Sequence, residues 1–270
     1  MIVDAQIHAW RRGDGGAKDP DGKGVEAEDL LAVMNESGVD AAVVVSANSI
    51  YDLDSSFAVE TAARDPKRLR AVGPIRLDVD DPVGFVEEWA ADERTSGLRL
   101  VLRGSGNADA ILDPRHLAAF DAVERLAVPL CVWAPGEVAL IEALARRHTG
   151  MQLVVDHTGV DASKPMTGRR LLSDGASVIA LATLPNVKVK LTGVPALSAG
   201  PYPFRDCWPW VEEILAAFTP ERVMWGTDWT RTRDVSSYAE SLGWIAESGL
   251  LTGAERDAVM GLTAHRLFFR

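Results

Sequence analysis

The sequence has little cysteine, no long apolar run and no excess of positive charge. Cys131 and Cys207 alone make a disulfide framework improbable, and no stretch of about 18 apolar residues predicts a membrane span. The net charge of -11 opposes long-range attraction to nucleic acid or to an anionic membrane. The first residues predict a strand and not a secretory leader, and no glycine-rich phosphate loop follows a predicted strand. We therefore expect a cytoplasmic protein that binds small molecules and no nucleotide.

The sequence does contain a regular alternation of short apolar runs and segments of helical period. The apolar runs predict eight strands, at residues 2–9, 41–47, 69–75, 97–102, 129–134, 152–158, 187–192 and 223–229. The helical segments lie at residues 28–37, 55–64, 82–93, 114–126, 137–148, 168–184, 208–218 and 236–248. We predict an α/β fold, a single (β/α)8 TIM-barrel domain over residues 1–270, with an additional C-terminal helix at residues 252–268.

Polar side chains stand at the ends of three predicted strands. Asp4, Gln6 and His8 alternate along the first strand, His157 ends the sixth and Asp228 ends the eighth. The carboxyl ends of barrel strands meet at one rim, so we expect a single site there. Alternation predicts that Asp4, Gln6 and His8 face the barrel interior, where such groups are costly unless paired, metal-bound or catalytic.

Three residues in these segments have two interpretations each. Alternation lets only one of Asp156 and His157 face inward, and we assign His157 to that position. Lys190 in the seventh strand is either a buried ion-pair partner, for instance of Asp4, or an anion contact, and we favour the ion pair. Asp228 is either a helix N-cap or a catalytic group, and its titratable neighbours favour catalysis.

Arginines are the first candidates for substrate recognition. Arg99 and Arg103 alternate with leucines in the fourth strand, which turns both toward the interior or its mouth. Guanidinium groups pair with carboxylates in a bidentate manner, although an arginine at a barrel rim is as often a structural ion-pair partner. Arg76, just after the third strand, has the same two interpretations.

Three further residues are predicted to bind substrate. Asn48 and Tyr51 follow the second strand and are placed to contact substrate hydroxyls, with an ordinary surface turn as the alternative. Trp229 ends the predicted eighth strand and would form part of an apolar wall for a ring-shaped ligand, unless it only packs its loop.

Four segments together carry a family resemblance. They are DAQIHAW at residues 4–10, VDHTG at 155–159, KLTG at 190–193 and RVMWGTDW at 222–229. In order and spacing they resemble the lactonase branch of the amidohydrolase-related TIM-barrel hydrolases, which includes fuconolactonase and 2-pyrone-4,6-dicarboxylate lactonase. The resemblance covers essentially the whole chain and does not specify the substrate.

The resemblance implies a hydrolase that opens a lactone of the sugar-acid, muconolactone or pyrone carboxylate type. Asp228 would be the general base that takes a proton from the attacking water. His8, His157 and the Gln6 amide would polarise the carbonyl by donating hydrogen bonds to it. The expected partner is a small molecule that carries a carboxylate or hydroxyls, and the sequence leaves the oligomeric state open.

One departure from the family pattern concerns the metal. Many relatives begin with a His-x-His ligand pair, whereas Gln6 holds the first of these positions and its amide is a poor ligand for zinc. His8, His157 and Asp228 remain as candidate ligands. We expect no metal or one weakly bound divalent ion, Zn or Mn. Two alternatives stay open, a metal-dependent decarboxylase of the same superfamily and a non-catalytic ligand-binding barrel.

Overall fold

The computed structural model describes residues 1–16, 19–102, 113–161 and 176–270. Eight strands form one parallel sheet in the order of the chain. They are β1 Val3–Ile7, β2 Ala41–Val45, β3 Leu69–Pro74, β4 Thr95–Val101, β5 Leu130–Trp133, β6 Leu153–Val155, β7 Val187–Thr192 and β8 Val223–Gly226. The Asp228 amide donates to the Gln6 carbonyl at 2.9 Å and brings the end of β8 onto β1. The predicted TIM barrel is confirmed as a nearly closed (β/α)8 structure.

Helices lie between the strands. Those of five or more residues fall where the helical periods predict them, and three four-residue helices within the described ranges were not predicted. The helices are α1 Ala27–Ser37, α2 Asn48–Tyr51, α3 Ser56–Ala62, α4 Pro82–Ala91, α5 Pro114–Arg125, α6 Val138–Arg147, α7 Val194–Leu197, α8 Trp208–Phe218, α9 Trp229–Thr232, α10 Tyr238–Ala246, α11 Gly253–Asp257 and α12 Thr263–Phe268. Residues 176–180 are also helical, while residues 168–175 of that predicted helix lie outside the described residues. A π-helical turn, Ala258–Leu262, joins α11 to α12 within the predicted C-terminal helix.

Apolar side chains fill the amino-terminal half of the barrel interior. This lower cluster includes Val3, Ala5, Val43, Val154, Met224, Leu267 and Phe268. The last two belong to α12, which therefore packs against the starts of the strands and closes that end. A binding site inside the barrel is accessible only from the opposite end, where the strands finish.

An irregularity in β1 changes which of its side chains face inward. The register of β1 against β2 shifts between Asp4 and Ile7. Ala5 joins the lower cluster, whereas Asp4 accepts hydrogen bonds from the Thr227 amide at 2.8 Å, the Thr227 hydroxyl at 2.6 Å and the Tyr238 hydroxyl at 3.0 Å. The prediction that Asp4 faces the interior is therefore wrong, because a β-bulge breaks strand alternation. Burial raises the pKa of Asp4 to about 6.

Two predicted absences concern cysteines and membrane helices. Cys131 and Cys207 are both buried free thiols. Within the ranges that the structure describes, no helix combines the length and apolarity needed to cross a bilayer.

Candidate active site

His8 and Asp228 form a buried pair at the rim where β1 meets β8. The His8 Nδ1 atom lies 2.7 Å from the Val45 carbonyl oxygen, and its Nε2 atom lies 3.0 Å from Asp228 Oδ1. A carbonyl oxygen only accepts, so Nδ1 carries a hydrogen. Among the described residues, neither Nε2 nor Oδ1 has a partner with good hydrogen-bond geometry. A single proton between His8 Nε2 and Asp228 Oδ1 would therefore give both atoms a hydrogen-bond partner.

The backbone at the ends of β6 and β8 is left-handed at non-glycine residues. The φ angles are 53° at His157, 54° at Thr158 and 50° at Asp228. Such residues cost of the order of 1 kcal/mol each and are tolerated where the surrounding structure fixes them. Asp228 stands directly before α9, but its side chain does not cap that helix. Its carboxylate is directed to His8 instead, which argues against the N-cap interpretation.

His157 uses both of its ring nitrogens on neighbouring protein groups. Its Nδ1 atom lies 3.2 Å from the Thr192 carbonyl oxygen and 3.0 Å from the Thr192 hydroxyl. Its Nε2 atom lies 3.2 Å from the Gln6 amide nitrogen, and Asp228 Oδ2 is 3.9 Å from Nδ1. Burial lowers the pKa of His157 from 6.5 to about 4, so the ring is neutral at physiological pH.

Asp156 also reaches the barrel interior, which the sequence analysis excluded. Its carboxylate accepts from Arg99 Nε at 2.7 Å and lies 3.0 Å from Lys190 Nζ. The prediction that only His157 points inward is wrong, because the left-handed turn after Asp156 redirects His157 and strand alternation no longer applies. Lys190 is an ion-pair partner as favoured, but it pairs with Asp156 and not with Asp4. Burial alone would raise the pKa of Asp156; Lys190 and Arg99 outweigh it and lower the value to about 2.

Asp228 is held as a carboxylate by the cations and histidines around it. Burial alone would raise its pKa, but His157, His8 and Arg231 together lower the pKa below its ordinary value. Arg231 Nη1 lies 3.8 Å from Asp228 Oδ2. Gly193, at φ 69°, lies beside the same oxygen, and a Cβ there would stand 3.4 Å from it. Asp228 is therefore ionised at neutral pH, as a general base must be.

A cleft of about 470 Å³ of empty space, part of it open to solvent, reaches His8, and Asp228 lies buried behind His8. Its lining includes His8, Asn48, Arg99, Arg231, Trp10 and Trp133. The predicted positions of His8, Asn48 and Arg99 therefore come together in one cavity. Asn48 Oδ1 is buried without a hydrogen-bond partner among the described residues. Sequence reasoning missed Arg231, and its place three residues after Asp228 was the only available signal.

Three other predicted substrate-binding residues, Tyr51, Trp229 and Arg76, do not line the cleft. Tyr51 accepts from the Arg11 amide at 2.8 Å and donates to Asp14 at 2.7 Å, which fixes the first loop. Trp229 packs edge-on against Tyr238 of α10, with 5.7 Å between the ring centroids. Arg76 forks onto the neighbouring Asp78 at 2.8 and 3.1 Å. Arg103 lies outside the described residues.

The candidate metal ligands do not converge as a metal site requires. His8 Nε2 and Asp228 Oδ1 have the free lone pairs that a ligand needs. Both ring nitrogens of His157, however, are hydrogen-bonded to Gln6 and Thr192. Within the described residues, the one group of three potential ligands that lies together is Asp121, Glu124 and His148, at the end of the barrel opposite the site. The donor set at the rim therefore does not fit a firmly held zinc ion.

Comparison with known proteins gives consistent results over most of the chain. The amidohydrolase family profile matches residues 3–270. The chain is 29% identical over 222 residues to L-fucono-1,5-lactonase from Burkholderia ambifaria, a match that covers 81% of this chain and 74% of that protein. It is 28% identical over 216 residues to 4-sulfomuconolactone hydrolase from Rhizobium radiobacter, covering 75% and 65%.

A solved structure confirms the fold. An amidohydrolase from Burkholderia multivorans with bound Zn superposes with a TM-score of 0.82 at 23% sequence identity, over 99% of this chain and 98% of that one. This likeness confirms the barrel architecture. The zinc ion belongs to that protein.

Proposed function

Because the chain belongs to the amidohydrolase family, we propose that it is an enzyme that hydrolyses a lactone at the cleft beside His8 and Asp228. The two relatives described above are lactone hydrolases of different substrates, one a sugar-acid lactone and one a sulfonated muconolactone. The observation that carries the proposal is the ionised Asp228 carboxylate, which is buried next to a cleft lined by hydrogen-bond donors.

Asp228 takes the proton of the attacking water in this mechanism. The water oxygen bonds to the lactone carbonyl carbon, and the carbonyl oxygen becomes anionic in the tetrahedral intermediate. Asp228 then returns the proton to the ring oxygen as the ring C–O bond breaks, so that the product is a hydroxy acid. Acid–base assistance of this kind contributes about 10²- to 10⁴-fold in rate.

Fewer residues are placed to polarise the lactone carbonyl than the sequence predicts. The Gln6 amide donates toward His157, and the His157 Nδ1 atom faces Thr192, so neither donor is directed into the cleft. Arg231 lines the cleft and remains as a donor to the developing oxyanion, whereas His8 donates its Nδ1 hydrogen to the Val45 carbonyl and has a lone pair at Nε2. A single well-placed donor of this type is worth roughly 3 kcal/mol in the transition state.

Replacing Asp228 by Asn tests the base assignment. We expect Asp228→Asn to lower kcat on L-fucono-1,5-lactone and 4-sulfomuconolactone by about 10²-fold or more, because an amide cannot take a proton. The matched control is Asp257→Asn, an exposed carboxylate of α11. Assays run with and without chelator. Retention of activity in Asp228→Asn would remove Asp228 from the base role, and CO₂ release from an aromatic acid with firmly bound metal would favour the decarboxylase alternative.

The cleft also indicates an anionic substituent on the substrate. Arg99 and Arg231 both line it, and hydrogen bonds from arginine to a carboxylate or sulfonate are worth about 1.5–3 kcal/mol. We expect Arg231→Gln to raise KM for a charged lactone by about 10- to 100-fold and to change KM for a neutral lactone much less. The control is Arg76→Gln, since that guanidinium pairs with Asp78 away from the cleft. An equal rise in KM for the charged and the neutral lactone would contradict an anion-binding role.

A further inference from the structure

Lys190 is a fully buried cation in the middle of the barrel, and the lactonase mechanism gives it no role. Its ammonium group lies 3.0 Å from Asp156 Oδ1, 3.2 Å from Gln6 Oε1 and 3.4 Å from Cys131 Sγ. Burial alone would lower the pKa of Lys190, but the Asp156 carboxylate outweighs this effect and raises it, so the side chain is charged. An ammonium group only donates hydrogen bonds.

The charge on Lys190 decides which way the Gln6 amide points. With Oε1 accepting from Lys190, the amide NH₂ group must face His157 Nε2, at 3.2 Å. The reverse orientation would place an NH₂ group against an ammonium group and leave both without an acceptor. The Lys190 contact therefore fixes the orientation of Gln6 among groups that are all buried.

The orientation of Gln6 in turn decides where His157 carries its hydrogen. An amide NH₂ group only donates, so His157 Nε2 must accept and carries no hydrogen. The hydrogen of the neutral ring is then on Nδ1, where the Thr192 carbonyl oxygen lies at 3.2 Å. Asp228 Oδ2 lies 3.9 Å from the same nitrogen.

We propose that Lys190 is a positioning residue that acts through Gln6, holding the amide so that it occupies His157 Nε2 and fixes His157 as the Nδ1–H tautomer. His157 is thereby a permanent hydrogen donor on the side of Asp228 and is removed as a competing base or metal ligand. Between His157 and Asp228, the proton acceptor is therefore Asp228. Gln6, held in place by Lys190, thus occupies the Nε2 atom of His157, which a metal ligand would have to offer.

Nitrogen NMR of histidine-labelled full-length protein tests this without reference to any substrate, so its failure is separable from failure of the lactonase proposal. The chain has five histidines, and His157→Gln identifies the signals of His157. We expect a protonated Nδ1 and an unprotonated Nε2. A proton on Nε2 in the unmodified protein would overturn the proposal.

Two variants carry the test to Gln6 and Lys190. In Gln6→Glu, the new carboxylate keeps one oxygen for Lys190 and presents the other as an acceptor, so the proton of His157 should move to Nε2. In Lys190→Met combined with Asp156→Asn, both charges of that ion pair are removed together and the new amide oxygen still accepts from Arg99. Gln6 is then free to rotate, so a mixture of tautomers should appear. Lys188→Met, a lysine of β7 that contacts Gln152, is the control and should leave His157 unchanged. A pure Nδ1–H tautomer in either test variant would refute the role of Lys190.

Discussion

The two halves of the barrel interior are stabilised by different physics. The lower cluster contains valines, alanine, methionine and the aromatic Phe268 of α12, and it depends on close packing alone. The upper half contains Gln6, Arg99, Asp156 and Lys190, and each of these groups depends on a partner. Lys190 joins the halves, since its ammonium group lies 5.5 Å from the Phe268 ring centroid. A single substitution at a charged residue of the upper half therefore leaves a buried charge without its partner, whereas one in the lower half changes only the packed volume.

The largest effect on stability is expected at Lys190. Lys190→Met leaves the Asp156 carboxylate buried with only Arg99 as a partner, and removal of one member of a buried pair costs about 3–5 kcal/mol in the free energy of unfolding. The additional change Asp156→Asn should recover part of that loss. Urea denaturation of both single variants and the double variant measures the coupling. Additive losses would show that the two charges do not depend on each other.

The next largest effect is a pH dependence that comes from His157. Its pKa is about 4 in the folded protein and 6.5 ordinarily, so between these values the unfolded chain binds more protons. Stability is therefore complete above pH 6.5 and is lost as the pH falls toward 4, by up to about 3 kcal/mol. Denaturant midpoints at pH 7 and pH 5 should differ less in His157→Gln than in the unmodified protein. His116→Gln in α5 is the control and should retain the full pH dependence.

The smallest effect is expected in the lower cluster. Phe268→Leu keeps an apolar side chain of similar size, and such exchanges usually cost less than about 1.5 kcal/mol. The His157 nitrogen signals and the pH dependence of stability should remain as they are, because Lys190 loses only its contact with the Phe268 ring and keeps Asp156 and Gln6 as partners. A changed His157 tautomer in this variant would mean that the two halves are coupled through Lys190 more strongly than their contacts indicate.

Sequence reasoning succeeded where the hydrophobic period of a segment, or the position of a residue at the end of a strand, is enough to predict the structure. The strand and helix periods predicted the barrel, and the rim positions of His8, His157 and Asp228 followed from strand ends. Arg99 was placed inward correctly because β4 keeps its alternation up to the cleft. The reasoning failed at Asp4 and Asp156, where a bulge and a left-handed turn change the direction of side chains. Neither feature has a period. The bulge contains no glycine, and in the turn the left-handed residues His157 and Thr158 come before Gly159.

The sequence by itself determined the architecture, because hydrophobic periodicity is a local property that every strand and helix of the barrel carries in its own residues. Only the tertiary structure decided the partners. The choice of Asp156 over Asp4 for Lys190, the rotation of the Gln6 amide and the position of Arg231 at the cleft depend on side chains brought together from strands far apart in the chain. In a buried site the energy of each charge and each donor is set by such neighbours.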